Sequence, residues 1–446
     1  MIRPGVLALL LCVLAGPLIA QELGEQERRA LEHTVLTLTP AELPELAGAS
    51  LESLSVMIWD GKNFSPVPFQ FDEMNNVDMV WFAENGFERF GAAGVFDGAD
   101  QLLLMLRDGG LPGAASEALK QGEILAEVRL TTPDNSERAF YLVSGNSARN
   151  PRHYVSHDPQ TGVTRTDQYV LTTDPDNELN WQYLGYTGYL GRADASLIDT
   201  LKMRMSGGVL FRFPRVTLDN DNLRPVITGF RVGPIRSVMH LETRVVFAGL
   251  SMMKLHVQAL RYANHYEAHT FARIPQLYRS TLKHPQVSVS IDGNRLLGAT
   301  VKTARGGDLV GNVDGKMDED EGELVRRGLS SDESWILFDS RRGFALLTEL
   351  DVPPALRGIP LDLVYQDDAE AEVRPEQYVG QFPNLGYALN GWPEQDELRF
   401  AVRLLFDQHF GELAPSDYVA LRTGRALRIQ VITPSAAQSP ATPDRH

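Results

Sequence analysis

Polar and apolar positions alternate with a period of two along much of this chain, the signature of half-buried strands. In "KLHVQAL", Leu255, Val257 and Ala259 alternate with Lys254, His256 and Gln258. "LESLSVMIWDGKNFSPVPFQF" reads as a strand ending in an Asp60-Gly61 turn, a dipeptide that tight hairpins favour. "ILAEVRLTTPDNSERAFYLVS" holds two extended runs around a Pro-Asp-Asn turn. "SWILFDSRRGFALLTEL" and "DELRFAVRLLF" continue the same style. Helical signals are few: Arg28–His33, and a competing stripe of Met252, Leu255, Ala259, Tyr262 and Tyr266 that leaves 251–270 open between helix and strand. The clearly extended "IRSVMHLETRVVFAGL" before it favours strand and a long hairpin. No repeat of 20–50 residues is visible.

These elements predict a mainly β protein: a large antiparallel β-sandwich, supersandwich-like, with a smaller N-terminal β domain. The expected division is an N-terminal β domain at 34–145, a polar linker or long loop at 146–165 and the large sandwich at 166–432. The Pro/Ala/Ser-rich end, 433–446, predicts a disordered tail.

The first residues add a location. Arg3 precedes an apolar run, Val6–Ala20, too short to span a bilayer comfortably. With Ala20 at its end it predicts a signal peptide at 1–20 and a periplasmic or secreted product. Leu18 occupies the −3 place, where a small residue is preferred. Cys12, the only cysteine, falls inside the run, so cysteine chemistry and disulfides are excluded from the mature chain. No later stretch is apolar enough to be a transmembrane segment. Taking Arg3 from the 42 basic residues leaves 41 against 58 acidic ones, about −17 for the mature chain. Such a field repels nucleic acid and anionic lipid but suits neutral ligands and divalent cations.

Candidate chemistry falls in four places. The acidic block around residues 68–110 reads first as turns: Asp97 and Asp100 can accept from backbone N–H groups, while Asp72, Glu73, Asp97 and Asp100 together would suit a hard cation. Its pattern Pro68, Gln70, Asp72, Glu73, then Phe96, Asp97, Asp100, Leu102, Met105, Asp108, Gly110 resembles that of a group of uncharacterised secreted β-rich proteins. "GFRVGPIRSVMHLETRV" resembles the Gly-Pro-x-Arg strand entry of the same group. Some members resemble companions of polysaccharide-degrading systems. The resemblance implies a β-supersandwich and transfers no catalytic residue.

The second place is "GGDLVGNVDGKMDEDEGELV". Placing Gly315 at the invariant glycine of an EF-hand loop puts Val310 where an aspartate is required, so this is no EF-hand. A looser calcium loop of Asp314, Asp318, Asp320 and Glu321 stays open beside a solvated acidic loop. Third, Trp181, Tyr183, Tyr186 and Tyr189 of "NWQYLGYTGYLGR" are candidates for stacking a sugar, or simply sheet fillers.

The fourth is "HYEAH", His265–His269. In a strand His265, Glu267 and His269 share a face, yet the two histidines lie roughly 13 Å apart, too far to share one zinc ion. In a helix the glutamate has the wrong offset for the H-E-x-x-H arrangement. Only adjacent members such as His265 and Glu267 could share a metal ion, with help from His240 or Glu242 on a neighbouring strand; otherwise the segment is a polar row on a sheet face, or a ligand or acid–base site on that face drawing on Arg261 and Arg273. The leading expectation is an exported binding or accessory protein for a neutral glycan. The alternatives are a carbohydrate-active lyase or hydrolase using His265, Glu267, His269 and Arg261, and a calcium-stabilised structural protein with an envelope partner.

Overall fold

The computed structural model describes residues 23–192, 195–209, 215–372, 379–411 and 413–434. The leader at 1–20 and the tail beyond residue 434 lie outside them. Strands dominate, in antiparallel sheets. The largest has nine strands in the spatial order Leu223–Val232, Arg236–Phe247, Leu250–Tyr262, His265–Arg273, Glu397–Asp407, Ala345–Asp351, Ile336–Asp339, Thr300–Thr303 and Gly311–Asn312. A five-stranded sheet (Arg215–Leu218, Ile198–Val209, Leu282–Gly293, Asn384–Asn390, Leu361–Gln366) packs on one face of it. Tyr266, Val402 and Leu404 interlock there with Leu201, Leu385 and Tyr387 to form the main core. The protein is thus a large antiparallel β-sandwich with smaller β layers, as the alternation predicts.

The segment that sequence left open between helix and strand is a hairpin: Leu250–Tyr262 and His265–Arg273 pair along their lengths. The preceding hairpin turns at Ala248 and Gly249, with φ of 48° and 79°, the left-handed pair that matches the twist of its strands. Competing helical periodicity lost because both hairpin strands also pair outward, with Arg236–Phe247 on one side and Glu397–Asp407 on the other. The helix expected at Arg28–His33 occupies Glu25–Glu32.

Two thinner layers cover the other face of the nine-stranded sheet. Val35–Leu38, Gln101–Met105 and Phe69–Asp72 form a three-stranded sheet whose middle strand is apolar after Gln101 because both its faces are buried. Leu103 and Met105 pack with Val238, Leu260 and Tyr262 of the large sheet. Leu102 and Leu104 pack with Val128, Phe140 and Leu142 of an outer five-stranded sheet. That outer sheet is closed by Arg428–Ile432, which pairs with Glu123–Thr131. The N-terminal β unit expected at 34–145 therefore takes a strand from the far end of the chain. The stretch expected as a linker, 146–165, carries strands Ser156–Asp158 and Val163–Arg165 of a four-stranded sheet.

Candidate functional site

Strand geometry sends alternate residues of "HYEAHTFAR" to opposite faces. Tyr266 and Ala268 point into the sandwich, whereas His265, Glu267 and His269 line a polar cavity of about 150 Å3 under the three-stranded sheet. The cavity also meets Thr37, Arg236, Gln258, Arg403 and Arg422. Register explains the convergence: Arg403 lies directly opposite Glu267, and Glu349 directly opposite Arg403. Residues so paired have adjacent side chains.

Glu267 is the hub. Its Oε1 accepts from Arg403 Nε at 2.8 Å, and its Oε2 lies 2.9 Å from His269 Nε2. Arg403 continues to Glu349 at 2.5 Å, and Arg425 reaches the other oxygen of Glu349 at 3.3 Å. Burial opposes ionisation of Glu267, but Arg403 and His269 outweigh it and hold the carboxyl well below the usual carboxylate range. His265 is stacked on Tyr262, ring centres 3.9 Å apart. Burial keeps its imidazole neutral, far below its ordinary pKa, against the opposing charge of Glu267. Its Nδ1 is buried and has no hydrogen-bond partner among the described residues. Of the row, only His269 keeps about a third of its side chain in solvent, 32%.

Arg261 is not part of this site. It pairs in register with Tyr266, on the sandwich face, and its guanidinium is buried against Glu178. The two-residue connection at Ala263 and Asn264 sets Tyr262, not Arg261, against His265, so the expectation for Arg261 fails on register. Arg273 lies at the far end of the strand, exposed and 3.4 Å from Glu397. Arg403, which the motif reading passes over, has a readable signal. In Glu397–Asp407 the apolar Leu398, Phe400, Val402 and Leu404 alternate with Arg399, Ala401 and Arg403, which marks a polar face.

The two motif segments meet at the cavity's edge. Gln70 Oε1 accepts from the backbone of Ile235 and Arg236 at 3.2 and 3.0 Å, and its amide reaches both oxygens of Asp72 at 3.0 Å. Asp72 in turn holds Arg236, at 2.8 Å from Nε. Gly233 is needed there, because a Cβ would stand 2.1 Å from Gln70 Oε1. Asp100 accepts from the backbone of Met74 and Asp97, Asp97 from Ala92, and Glu73 from Gly94. The carboxylates of Glu73, Asp97 and Asp100 thus tie down a turn, while Asp72 serves Arg236.

A second histidine group lies beside the cavity. Gln258 Oε1 accepts from Val80 N at 2.9 Å while its Nε2 donates to Val80 O at 2.6 Å. This orients the amide so that Nε2 also donates to His240 Nδ1 at 3.0 Å. His240 must then carry its proton on Nε2, which donates to His256 Nδ1 at 3.2 Å. Burial, with His256 nearby, lowers the His240 pKa to about 3.

The remaining candidates do different work. Asp318 caps the helix Glu319–Arg327 and exchanges bonds with Glu321 in a capping box. Glu321 is fully buried and accepts from Tyr365 at 2.5 Å. Asp314 bonds the backbone of Lys316, and Asp320 sits exposed in the helix's first turn. Among the described residues no group of three or more His, Cys, Asp or Glu is placed to hold a metal ion. Trp181 is buried edge-on to Tyr266, and Tyr186 is buried against Phe344 and Phe406. Tyr183 and Tyr189 are half-buried. The row does not form an exposed sugar platform, because Trp181 and Tyr186 turn into the core.

No protein-family model matches the chain, and no curated protein matches it in sequence. Among solved structures, an α-mannosidase from Enterococcus faecalis V583 matches 88% of this chain with 8% identity and a TM-score of 0.46. The chain spans 48% of that enzyme, about half its length. A galactose 1-epimerase from Lactobacillus acidophilus NCFM aligns over 64% of this chain and 100% of its own, at 11% identity and a TM-score of 0.31. A heparinase III aligns over 60% and 38%, at 7% identity and a TM-score of 0.30. Likeness at this level is a coarse sharing of β-rich architecture and carries no argument about function.

Proposed function

We propose that this chain is an exported β-sandwich protein that binds a neutral, hydroxyl-rich ligand, a glycan unit, in the His265–Glu267–His269–Arg403 cavity. The observation that carries the reading is the convergence of these four side chains in one concavity. Most wall charges are already matched: Arg403 offsets Glu267, Arg236 offsets Asp72 and Arg399 offsets Asp78, while the Arg422 guanidinium donates to the Phe406 and Asn264 carbonyls and the Tyr418 hydroxyl, which favours a neutral ligand. About 150 Å3 equals the liquid share of roughly five waters, room for one ring rather than a long chain. The glycan class itself rests on the motif resemblance, and export on the leader.

Isothermal titration with neutral mono- and oligosaccharides, and with uronates as charged controls, tests the reading. Binding of a neutral sugar that weakens at least about tenfold in His265→Ala is expected, the cost of about one good hydrogen bond. Silence across the neutral panel, or affinity indifferent to His265, refutes it.

One observation supports an enzymatic reading of the same cavity. Glu267 orients His269, the accessible imidazole, as a carboxylate orients a general base. Product formation from a glycan that His269→Ala abolishes, with binding retained, would favour that lyase or hydrolase reading.

A further inference from the structure

The outer face of the five-stranded sheet carries a buried ion pair. Leu201 and Met203 of the strand Ile198–Val209 point into the core, so Lys202 between them turns to the other face. The neighbouring strand Leu282–Gly293 sends Ile291 inward, and Ser290 and Asp292 outward. Lys202 Nζ stands 2.7 Å from Asp292 Oδ2, with the two side chains 1% and 0% exposed. The contact is not aligned for a hydrogen bond, and neither oxygen of Asp292 has another such partner among the described residues.

Two more polar groups converge on the pair. A register shift between Ile198 and Thr200 makes Asp199 an extra residue opposite Asp292, as in a β-bulge. Its carboxyl, raised by burial, is hydrogen-bonded to Gln381 and feels the charge of Lys202. Asn384 lies directly opposite Asp292 on the next strand, and its buried Oδ1 has no hydrogen-bond partner among the described residues. Burial, opposed by Lys202 and assisted by Asp199, pushes the Asp292 carboxyl up to about 7. A buried ion pair is costly unless its remaining donors and acceptors are satisfied. Transfer of one proton from Nζ to the carboxylate removes both charges and leaves an amine against a carboxylic acid. These are the reactants of amide formation, and in fixed contact they act at an effective concentration unattainable in solution. Burial also withholds the water that would drive the reverse reaction.

We propose that Lys202 and Asp292 condense to an intramolecular amide, a covalent staple between adjacent strands. The lone pair of Nζ adds to Cγ of Asp292, and the C=O π pair moves onto its oxygen. Asp199 takes a proton from Nζ and passes it to the hydroxyl, and the C–O bond breaks with loss of water. The ion pair becomes one amide and one water, with no oxidant, reductant or cofactor. Asn384 Oδ1 then supplies an acceptor for the new N–H. Cys12 is the only cysteine, so no intrachain disulfide is available, whereas this staple closes a loop of about ninety residues. The pair lies outside the polar cavity, so the staple stands independently of the ligand reading.

The test is tryptic peptide mapping by tandem mass spectrometry of the mature protein, purified folded and digested after denaturation. A branched peptide joining the Lys202 and Asp292 segments is expected, one water lighter than its two parts and uncut after Lys202. Lys202→Arg keeps the cation but should give the full mass and two linear peptides. Asp292→Asn should still give the same branched product, now with loss of ammonia, which a mere ion pair cannot do. Asp199→Ala should slow its formation after refolding, with circular dichroism reporting a native fold; an unchanged rate would remove Asp199 from the reaction. Full mass and a cleavable Lys202 in the folded, unaltered protein overturn the proposal. So does a succinimide at Asp292-Gly293, which also loses water but leaves cleavage after Lys202 intact and opens in mild base.

Discussion

Exchange of His240 for asparagine measures how strongly burial of a neutral imidazole couples folding to pH. His240 is fully buried, its Nδ1 occupied by the Gln258 amide and its Nε2 proton given to His256. A second proton on Nδ1 would face an amide N–H, and the ring is sealed from solvent. Its folded pKa is lowered from 6.5 to about 3, by burial and by His256. The unfolded chain therefore takes up the proton first as pH falls. The stabilisation is complete above the unfolded pKa and is lost progressively between about 6.5 and about 3. At about pH 5 the loss is RT ln(1 + 10^1.5), about 2 kcal/mol relative to about pH 7.5. An asparagine in its place can still accept from Gln258 but does not titrate. Urea unfolding of both proteins at several pH values between about 7.5 and 5 gives the comparison. The stability advantage of the native protein over the His240→Asn variant should shrink by about 2 kcal/mol over that range. Curves that stay parallel would refute the account, because they would mean that His240 is protonated equally in both states.

Three further outcomes follow from other contacts. Glu267→Gln should lose about 2 kcal/mol near neutral pH, because Arg403 loses one of its two close carboxylates while buried; the depressed carboxyl pKa makes that deficit full above about pH 4.5 and smaller as pH falls below it, readable from the same urea series. Gly233→Ala should cost about 1–3 kcal/mol, since Gln70 is held by two backbone N–H groups and by Asp72 and cannot withdraw, and calorimetric melting checks it. Asp318→Ala should cost about 1 kcal/mol through its helix cap, with the same melting shift in calcium and in chelator; a shift seen only with calcium would return Asp318 to a metal role.

Most of the architecture was legible because period-two alternation maps directly onto strand faces. The polar row His265, Glu267, His269 and its counterpart Arg403 both follow from alternation alone. What pairs with what does not. Arg261 is four residues from His265 in sequence yet on the other face, because only the register of the hairpin decides parity. Gln70 and Asp72 meet Arg236 across some 160 positions, and no local pattern announces that contact. The acidic loop around Asp318 stayed open in the sequence for a physical reason: a helix cap and a calcium loop draw on the same residue types, oxygen acceptors close together near a glycine. Trp181 and Tyr186 stayed open between two roles because stacking platforms and sheet cores draw on the same rings.

The strand Arg428–Ile432, seated beside Glu123–Thr131, imposes an order on how the molecule can be made. A ribosome delivers the first half of that pair long before the second, and about three hundred residues of sandwich must be emitted in between. Until then the Glu123–Thr131 strand is an open edge, with backbone donors and acceptors ready for any passing strand. The closing step is a long-range one and correspondingly slow. A nascent chain stalled short of its last residues would carry a finished sandwich and a sticky flank, so premature termination should yield aggregates rather than a smaller functional protein.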